Sequence, residues 1–264
     1  MNKVIEVDQL VKTFGHPPGF FHPTSREVKA LKNISLALYE GETLAVVGES
    51  GSGKSTLARI LVGLEQETSG QISILGQSRH QWKKQGTRAF GQAIQYVFQD
   101  PVASLNPRKT IGETLSVPLK YLKHMNKAQR LDRLHELLEA VSMPFDALAC
   151  YPHEFSGGQA QRLAIARALA ADARILVLDE PVSALDVSVQ AQVLLLLQEL
   201  KVQFSLSYLF ISHDLAVVES IADRVAVLYL GDLLECRETN SLFTAPEHSY
   251  TKNLLASAPR LPIE

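Results

Sequence analysis

Short, continuous runs of apolar residues recur along the chain and are separated by segments with helical periodicity. The apolar runs include residues 43–47, 175–178 and 207–212. Runs of this length without alternation are typical of parallel strands that are covered on both faces. Helical segments lie between and beside them, at residues 57–62, 160–171 and 187–203. Strands that alternate with helices predict an α/β fold around a parallel sheet.

The N-terminal part of the chain carries patterns of partly exposed strands. Residues 4–7 and 9–14 predict an opening strand pair, and residues 34–38 alternate as a half-exposed strand does. Further strands are predicted at residues 71–75, 93–98 and, as one arm of a hairpin, 224–230. We therefore expect an antiparallel β subdomain at the N-terminus, beside the core sheet.

Helical patterns dominate between residues 102 and 151. Asn126 and Gln129 fit a capping box at the start of one helix. A single apolar stripe along this helix is predicted from Leu131, Leu134, Leu138 and Val141. We expect a helical subdomain of approximately residues 102–160, inserted into a single domain that spans residues 1–264.

One glycine-rich segment stands between a predicted strand and a predicted helix. Residues 48–56 read Gly-Glu-Ser-Gly-Ser-Gly-Lys-Ser-Thr, the P-loop pattern in which backbone N–H groups and a helix N-terminus surround a phosphate. Lys54 would neutralise the β- and γ-phosphates of a nucleotide, and the Ser55 hydroxyl would hold Mg²⁺. An ordinary Gly/Ser-rich turn is the alternative, but both flanking elements favour phosphate binding. The candidate ATP-binding residues are Gly48, Ser50, Gly51, Gly53, Lys54, Ser55 and Thr56.

Two acidic residues follow the apolar run at 175–178. Burying two carboxylates at the end of a strand would cost free energy unless a cation or water contacted them. Asp179 is a candidate Mg²⁺ partner, directly or through water. Glu180 is a candidate general base that polarises the water attacking the γ-phosphate. A surface strand end with two solvated acids is the alternative, which the upstream P-loop disfavours.

A second candidate anion site opens the helix that precedes this strand. The residues at its start are Ser156, Gly157, Gly158 and Gln159, which leave several N–H groups available. A glycine pair before a helix is more often a simple turn, so this signal depends on its position before the acidic strand end.

Two further kinds of side chain could meet a nucleotide. His213 follows a predicted strand at the edge where ligand sites of α/β folds lie, and its imidazole could donate a hydrogen bond to the γ-phosphate. An aromatic ring ahead of the core could stack on the base. Phe14 is the first choice, and Phe20 and Phe21 are the alternates, although each of these rings could instead pack onto the sheet.

Composition narrows the class of protein. The chain of 264 residues has 26 Lys plus Arg and 28 Asp plus Glu, a net charge of −2, so no basic excess favours nucleic acid. The two cysteines, Cys150 and Cys236, are expected to be reduced structural thiols. We expect no secretory signal, because the N-terminus reads Met-Asn-Lys-Val-Ile-Glu-Val-Asp and has no apolar signal region. We expect no membrane-spanning helix, because no window of about 18 apolar residues is free of charge.

Together these motifs resemble those of ABC transporter ATPase subunits, and the resemblance covers essentially the whole length. We therefore expect the core sheet to have the P-loop NTPase (RecA-like) fold. Three segments resemble the bacterial dipeptide/oligopeptide/nickel importer family, and in particular the second ("F" type) of its two ATPase subunits. They are Phe98-Gln-Asp-Pro with Ser104-Leu-Asn-Pro-Arg108, residues 179–192 with Glu-Pro-Val-Ser-Ala-Leu-Asp, and His248-Ser-Tyr-Thr251 with Leu254-Leu255.

The resemblance implies that two cassettes sandwich two ATP molecules head to tail. Residues 156–159 would then serve the γ-phosphate bound by the partner's P-loop, and Asp186 would lie across the interface. Gln99 would contact Mg²⁺ and the attacking water. The metal ligands implied are Ser55, Gln99 and Asp179, and the catalytic residues are Glu180, His213 and Gln99.

The resemblance also implies partners and a location. The second ATPase subunit would be a paralogue or another copy of this chain, and a groove between the Gln99 loop and the helical subdomain would receive a helix of a membrane permease. An extracytoplasmic substrate-binding protein would complete the system. The chain would lie peripherally on the cytoplasmic face of the inner membrane and would power import of peptides, nickel or metal–chelator complexes.

Two departures from the family pattern bear on these expectations. Phe155 stands where the wider superfamily has Leu, which leaves the expected phosphate contacts in place. Many members continue into a cysteine-containing extension for an iron–sulfur cluster, and this sequence ends at Glu264 without those cysteines, so no such cluster is expected. A soluble ABC ATPase of DNA repair or translation is the alternative function. A non-hydrolysing clamp is disfavoured because Glu180 and His213 are both present.

Overall fold

The structure is a computed structural model that describes residues 2–15 and 27–257. The strands of this part of the chain are β1 (Lys3–Phe14), β2 (Val28–Tyr39), β3 (Thr43–Val47), β4 (Ser69–Ile74), β5 (Gln77–Ser78), β6 (Ile94–Val97), β7 (Ile175–Asp179), β8 (Ser207–Ile211), β9 (Arg224–Tyr229) and β10 (Asp232–Glu238). Its α-helices are α1 (Lys54–Leu61), α2 (Arg79–Gln85), α3 (Thr87–Ala93), α4 (Pro101–Ser104), α5 (Ile111–Tyr121), α6 (Lys127–Ala140), α7 (Gly157–Leu169), α8 (Val187–Gln203), α9 (Leu215–Ile221), α10 (Thr239–Thr244) and α11 (Ser249–Ser257). Short 3₁₀ helices lie at Phe145–Ala149 and Pro152–Glu154.

These elements form two compact units. The first comprises Met1–Arg79 and Leu209–Glu264, and the second comprises His80–Tyr208. The predicted helical subdomain of residues 102–160 lies inside the second unit. That subdomain boundary, and the prediction of a single domain over residues 1–264, stay predictions.

The first unit contains an antiparallel sheet with the strand order β2-β1-β4-β5. The predicted break between residues 7 and 9 was wrong, because β1 continues through it as one strand. Gln9 has a φ of 48° and the register with β2 shifts between Val7 and Leu10. The Gln9 N–H donates to the Ser35 hydroxyl at 2.9 Å. A bulge of this kind breaks the alternation of side chains without ending the strand.

Parallel strands form the other layer of the first unit. β3 pairs in parallel with β9, and β9 pairs with β10 as an antiparallel hairpin, which confirms the predicted hairpin. Leu230 and Gly231, in its turn, both have positive φ, at 47° and 87°, as a two-residue hairpin turn requires. All five residues of β3 are buried, as the continuous apolar run predicts.

The second unit pairs β6 with β7 in parallel and surrounds them with helices. The predicted capping box of α6 is confirmed, because the Asn126 side chain accepts from the Gln129 N–H and the Gln129 side chain accepts from the Asn126 N–H. The stripe was wrong at Leu131, which is 50% exposed and lines a surface groove formed by α5 and α6. Leu137, which the prediction omitted, is fully buried instead.

The predicted α/β class is confirmed by this alternation of strands and helices. Among residues 2–15 and 27–257, no helix is both long and apolar enough to cross a membrane.

The capping box of α6 generates a stability test. Replacing Asn126 with Ala removes the acceptor for the Gln129 N–H, and we expect the free energy of unfolding to fall by about 1 kcal/mol. Asn126→Ser is the matched control, because it keeps a side-chain acceptor and should lose only a few tenths of a kcal/mol. Urea denaturation measures both variants, and equal losses in the two would contradict the assignment of this cap.

Candidate functional site

The P-loop of the first unit leaves β3 through a backbone that only glycine fits. Gly48 has a φ of 147° and Gly53 a φ of 106°. A Cβ at Gly48 would lie 2.0 Å from the Leu228 carbonyl oxygen, and one at Gly53 would lie 2.4 Å from the Ala30 carbonyl oxygen. The loop is therefore pressed against β9 and β2, which fixes its path before any ligand binds.

The loop ends at the N-terminus of α1. Gly53 is the N-cap in a left-handed conformation, and no side-chain hydrogen bond caps this helix. The first N–H groups of an α-helix have no partner within the helix and carry its positive dipole end. An anion at this position would satisfy them.

Lys54 carries a buried positive charge into the same loop. The residue is 6% exposed, and its ammonium group donates to the carbonyl oxygens of Gly48 at 2.6 Å and Glu49 at 2.9 Å. A buried ammonium group is costly unless it is hydrogen-bonded. The two carbonyl oxygens of the loop therefore stabilise this buried charge.

Ser52 is a site residue that the sequence analysis did not single out. It is 2% exposed, and its hydroxyl has no hydrogen-bond partner within the described part of the chain. A buried hydroxyl normally has a hydrogen-bond partner, and a phosphate oxygen could accept a hydrogen bond from this one. No pattern marks Ser52 in advance, because it occupies a variable position of the motif.

The other predicted P-loop residues lie at the surface of this unit. Ser50 and Gly51 are exposed at the tip of the loop, whereas Ser55 and Thr56 are partly exposed in the first turn of α1.

His213 lies next to the strand that leads into the P-loop. The N–H of Ser212 donates to the carbonyl of Val46 at 3.3 Å, so His213 follows β8 beside the end of β3. His213 is exposed. The next residue, Asp214, caps α9 by accepting from two N–H groups, which holds this turn in place.

Phe14 lies at the end of β1 and is 39% exposed. The ammonium nitrogen of Lys12 is 4.5 Å from the centre of its ring, a favourable cation–π distance. Phe20 and Phe21, the alternates for base stacking, lie outside the described residues.

In the second unit, the acidic pair at the end of β7 is held by two side chains from the β6 region. Asp179 is 5% exposed and accepts a hydrogen bond from the Tyr96 hydroxyl. Glu180 accepts from the Gln99 amide nitrogen at 3.0 Å. The structure therefore brings two predicted catalytic residues, Gln99 and Glu180, into direct contact.

Glu180 also has a strained backbone. Its φ is 48°, a left-handed conformation that costs a residue other than glycine about 1–3 kcal/mol. The turn that follows helps to hold it, because the Ser183 hydroxyl donates to the Glu180 carbonyl at 3.1 Å. Strain that a structure maintains at a polar strand end is a signal of function.

Tyr96 was missed by the sequence analysis. Tyr96 lies in an apolar strand three residues before Gln99. This position indicates that its hydroxyl is hydrogen-bonded, because the hydroxyl of a buried tyrosine normally has a partner. The partner could not be identified from the sequence, because it lies 83 residues away.

The starts of α7 and α8 lie against each other. Ser156 and Gln159 form a capping box at the start of α7. A Cβ at Gly158 would lie 2.3 Å from the Val189 side chain of α8. Gly158 therefore permits this close approach.

Asp186 caps α8. Its carboxylate accepts from the Val189 N–H at 3.0 Å and from the Ser188 hydroxyl at 2.7 Å, and these hydrogen bonds lower the pKa of Asp186. Ser156, Gly157, Gln159 and Asp186 are all exposed. The structure thus places the second candidate anion site and Asp186 on one surface.

Comparisons with known proteins show related sequences and structures. The sequence profile of the ABC transporter family matches residues 31–183. The oligopeptide transport ATP-binding protein OppF of Lactococcus lactis is 41% identical over 263 residues, which cover 100% of this chain and 82% of the relative. The dipeptide transport ATP-binding protein DppF of Escherichia coli is 46% identical, over 98% of this chain and 77% of the relative.

Solved structures give the same result. The dimeric ATP-binding cassette MJ0796, in a post-hydrolysis state bound to ADP and Pi, superposes with a TM-score of 0.78 at 28% identity, covering 89% of this chain and 98% of that one. The protein cbiO1 from Clostridium perfringens, part of the ABC transporter complex cbiONQ, gives a TM-score of 0.79 at 25% identity, covering 93% and 92%. The predicted P-loop NTPase fold is thereby confirmed.

The close approach at Gly158 generates a test of packing. Gly158→Ala should lower the free energy of unfolding by about 1–3 kcal/mol through overpacking against Val189. Gly157→Ala is the control, because its new methyl would lie 3.4 Å from Leu185, an ordinary contact.

A double variant tests whether Val189 causes the loss of stability in Gly158→Ala. Adding Val189→Ala to Gly158→Ala removes the clashing methyl, so the two losses in unfolding free energy should sum to more than the loss of the double variant. Strictly additive losses in chemical denaturation would show that Val189 is not what Gly158 accommodates.

Proposed function

The chain belongs to the ABC transporter family, and from that premise we propose that it is the ATP-binding and ATP-hydrolysing subunit of an importer for oligopeptides or dipeptides. The observation that carries hydrolysis is the contact between Gln99 and Glu180 at 3.0 Å. It joins an amide and a carboxylate beside the buried Asp179, the combination that orients and deprotonates a water at a phosphate.

The proposed phosphate site is the P-loop. Backbone N–H groups of residues 48–56 would surround the β- and γ-phosphates, and the ammonium group of Lys54 would leave its carbonyl partners to meet them. The buried hydroxyl of Ser52 and the uncapped start of α1 support this assignment. Gly48, Ser50, Gly51, Gly53, Ser55 and Thr56 complete it, and Phe14 is the proposed ring beneath the base.

The proposed Mg²⁺ ligands are Ser55, Gln99 and Asp179. All three offer oxygen atoms, which this cation prefers. Gln99 turns its amide nitrogen toward Glu180, so its oxygen is the atom for a cation. Asp179 is a buried carboxylate, which a cation stabilises. Bound Mg²⁺ would offset the negative charge that phosphate oxygens carry during transfer.

The protein's own groups would perform the proton chemistry. Glu180 would accept the proton of the attacking water, and Gln99 would keep that carboxylate oriented. The imidazole of His213 would donate a hydrogen bond to the γ-phosphate. A strained Glu180 held by neighbours needs little rearrangement before reaction, which favours a preorganised site.

A second cassette is a proposed partner. The N-terminal ends of α7 and α8 would face the nucleotide bound by the other copy. They carry the exposed residues Ser156, Gly157, Gln159 and Asp186 and the buried Gly158. The cassette MJ0796 is described as dimeric, which supports this arrangement. The second cassette would be a paralogue or another copy of this chain.

The other proposed partners are the remaining components of an importer. Permease subunits would dock on the second unit near the Gln99 loop, and an extracytoplasmic substrate-binding protein would deliver the peptide. The chain would lie peripherally on the cytoplasmic face of the membrane. The relatives described above are named for peptides, so peptide import is preferred to nickel import. Their names also favour transport over the alternative of DNA repair or translation.

Replacing Glu180 with Gln tests the assignment of the base. The variant keeps the size of the side chain but cannot accept a proton, so we expect ATP turnover to fall by about 10²-fold or more while ATP still binds. Phosphate release and calorimetric titration measure the two quantities. Glu199→Gln, on the exposed face of α8, is the charge-matched control and should turn over ATP at the wild-type rate. Near-normal phosphate release by Glu180→Gln would refute its role as base.

A further inference from the structure

Tyr250 reaches the P-loop from the C-terminal helix of the first unit. Its hydroxyl accepts a hydrogen bond from the Glu49 N–H at 3.3 Å. Tyr250 belongs to the segment His248-Ser-Tyr-Thr251, which served the sequence analysis only as a family resemblance and has no role in the proposed reaction.

The Glu49 N–H and the Gly48 carbonyl belong to one peptide unit. That unit is planar and trans, so its N–H and its carbonyl point in opposite directions and turn together. The carbonyl accepts from the Lys54 ammonium group at 2.6 Å. One end of the peptide is therefore held by Tyr250 and the other by Lys54. Loss of either contact frees the plane to rotate about the flexible backbone of Gly48.

We propose that Tyr250 is a positioning residue for nucleotide binding: its hydroxyl fixes the Gly48–Glu49 peptide and, through that peptide, the resting place of the Lys54 ammonium group. The inference rests on the proposed function of the P-loop as an ATP site. Tyr250 acts through Lys54, which is the group that meets the phosphates.

The surroundings of Tyr250 hold its ring in place. The ring packs on Tyr229 of β9, with centres 4.2 Å apart and planes inclined by 37°. The Tyr250 N–H donates to the imidazole of His248 at 3.0 Å. The strand β9 therefore supports both Tyr250 and the P-loop. Its residue Tyr229 packs on Tyr250, and the preceding residue, Leu228, lies against Gly48.

Two anchors tie the rest of α11 to the same unit. The Glu247 N–H, just before the helix, donates to the carboxylate of Glu235 at 2.8 Å. Leu255 is buried in a hydrophobic cluster that includes Ala45 and Val47 of β3. Because β3 is also the strand that leads into the P-loop, the helix and the loop share one rigid support.

The hydroxyl of Tyr250 keeps its proton at neutral pH. Burial raises the pKa of Tyr250 above its ordinary value, which lies near 10. It therefore stays a neutral phenol under physiological conditions.

Tyr250→Phe separates the hydroxyl from the ring, because phenylalanine keeps the packing on Tyr229. We expect the Kd and the KM for ATP to rise about three- to tenfold, the loss that one neutral hydrogen bond produces, with kcat changed by less than about twofold. The matched control is Tyr229→Phe, which removes a hydroxyl from the other ring of the pair and should leave these constants unchanged. Melting temperature is measured for both variants.

A second measurement does not require nucleotide. Hydrogen exchange at the Glu49 amide, followed by NMR in the nucleotide-free protein, should be about tenfold faster in Tyr250→Phe than in the wild type or in Tyr229→Phe. Exchange at amides of β3 should not change. The exchange rate of the Glu49 amide reports on the contact with Tyr250 itself. A general loss of stability would also speed exchange at amides of β3.

The outcomes distinguish this inference from the proposed function. Wild-type protein that binds no ATP would overturn the site assignment and, with it, the inference. Wild-type protein that binds ATP, together with a Tyr250→Phe variant of unchanged Kd, KM and Glu49 exchange, would overturn the inference alone. Equal changes in both Phe variants, accompanied by a lower melting temperature, would show a structural role and would also overturn it.

Discussion

The site depends on one buried charge, the ammonium group of Lys54. At 6% exposure it has lost most of its water, and the carbonyls of Gly48 and Glu49 replace that water. Only a loop with glycine at Gly48 and Gly53 can bring those carbonyls, the start of α1 and the neighbouring strands so close together. The first unit therefore holds a cationic group in the loop that ends at the uncapped start of α1, an arrangement that suits a polyanion.

The second unit holds groups of the opposite charge, the carboxylates of Asp179 and Glu180. Tyr96 donates a hydrogen bond to Asp179, and Gln99 donates one to Glu180. These two neutral donors help to orient the two carboxylates. Glu180 is held in a left-handed conformation as well. The first unit thus contains a cationic loop and the second an oriented acidic pair, two kinds of group that enzymes of phosphoryl transfer use.

Features with a local signal could be predicted from the sequence. The glycine spacing of the P-loop, the apolar runs of β3, β7 and β8 and the capping box of α6 each depend on a few consecutive residues. Features that depend on a distant contact could not be predicted. The N–H of Gln9, at the bulge, donates to Ser35, and Leu131 is exposed in a groove lined by residues of α5 and α6. The hydroxyl groups of Tyr96 and Tyr250 meet residues 83 and 201 positions away, and no local pattern encodes such pairs.

The most direct test of the account is a calorimetric titration of the full chain with ATP and Mg²⁺, comparing wild type with Lys54→Ala. Lys29→Ala, which removes a positive charge from the exposed face of β2, controls for net charge. The account predicts that the wild type and Lys29→Ala bind ATP with equal affinity and that Lys54→Ala binds at least tenfold more weakly, since a charge-assisted contact contributes about 1.5–3 kcal/mol. Wild-type affinity in Lys54→Ala would contradict it.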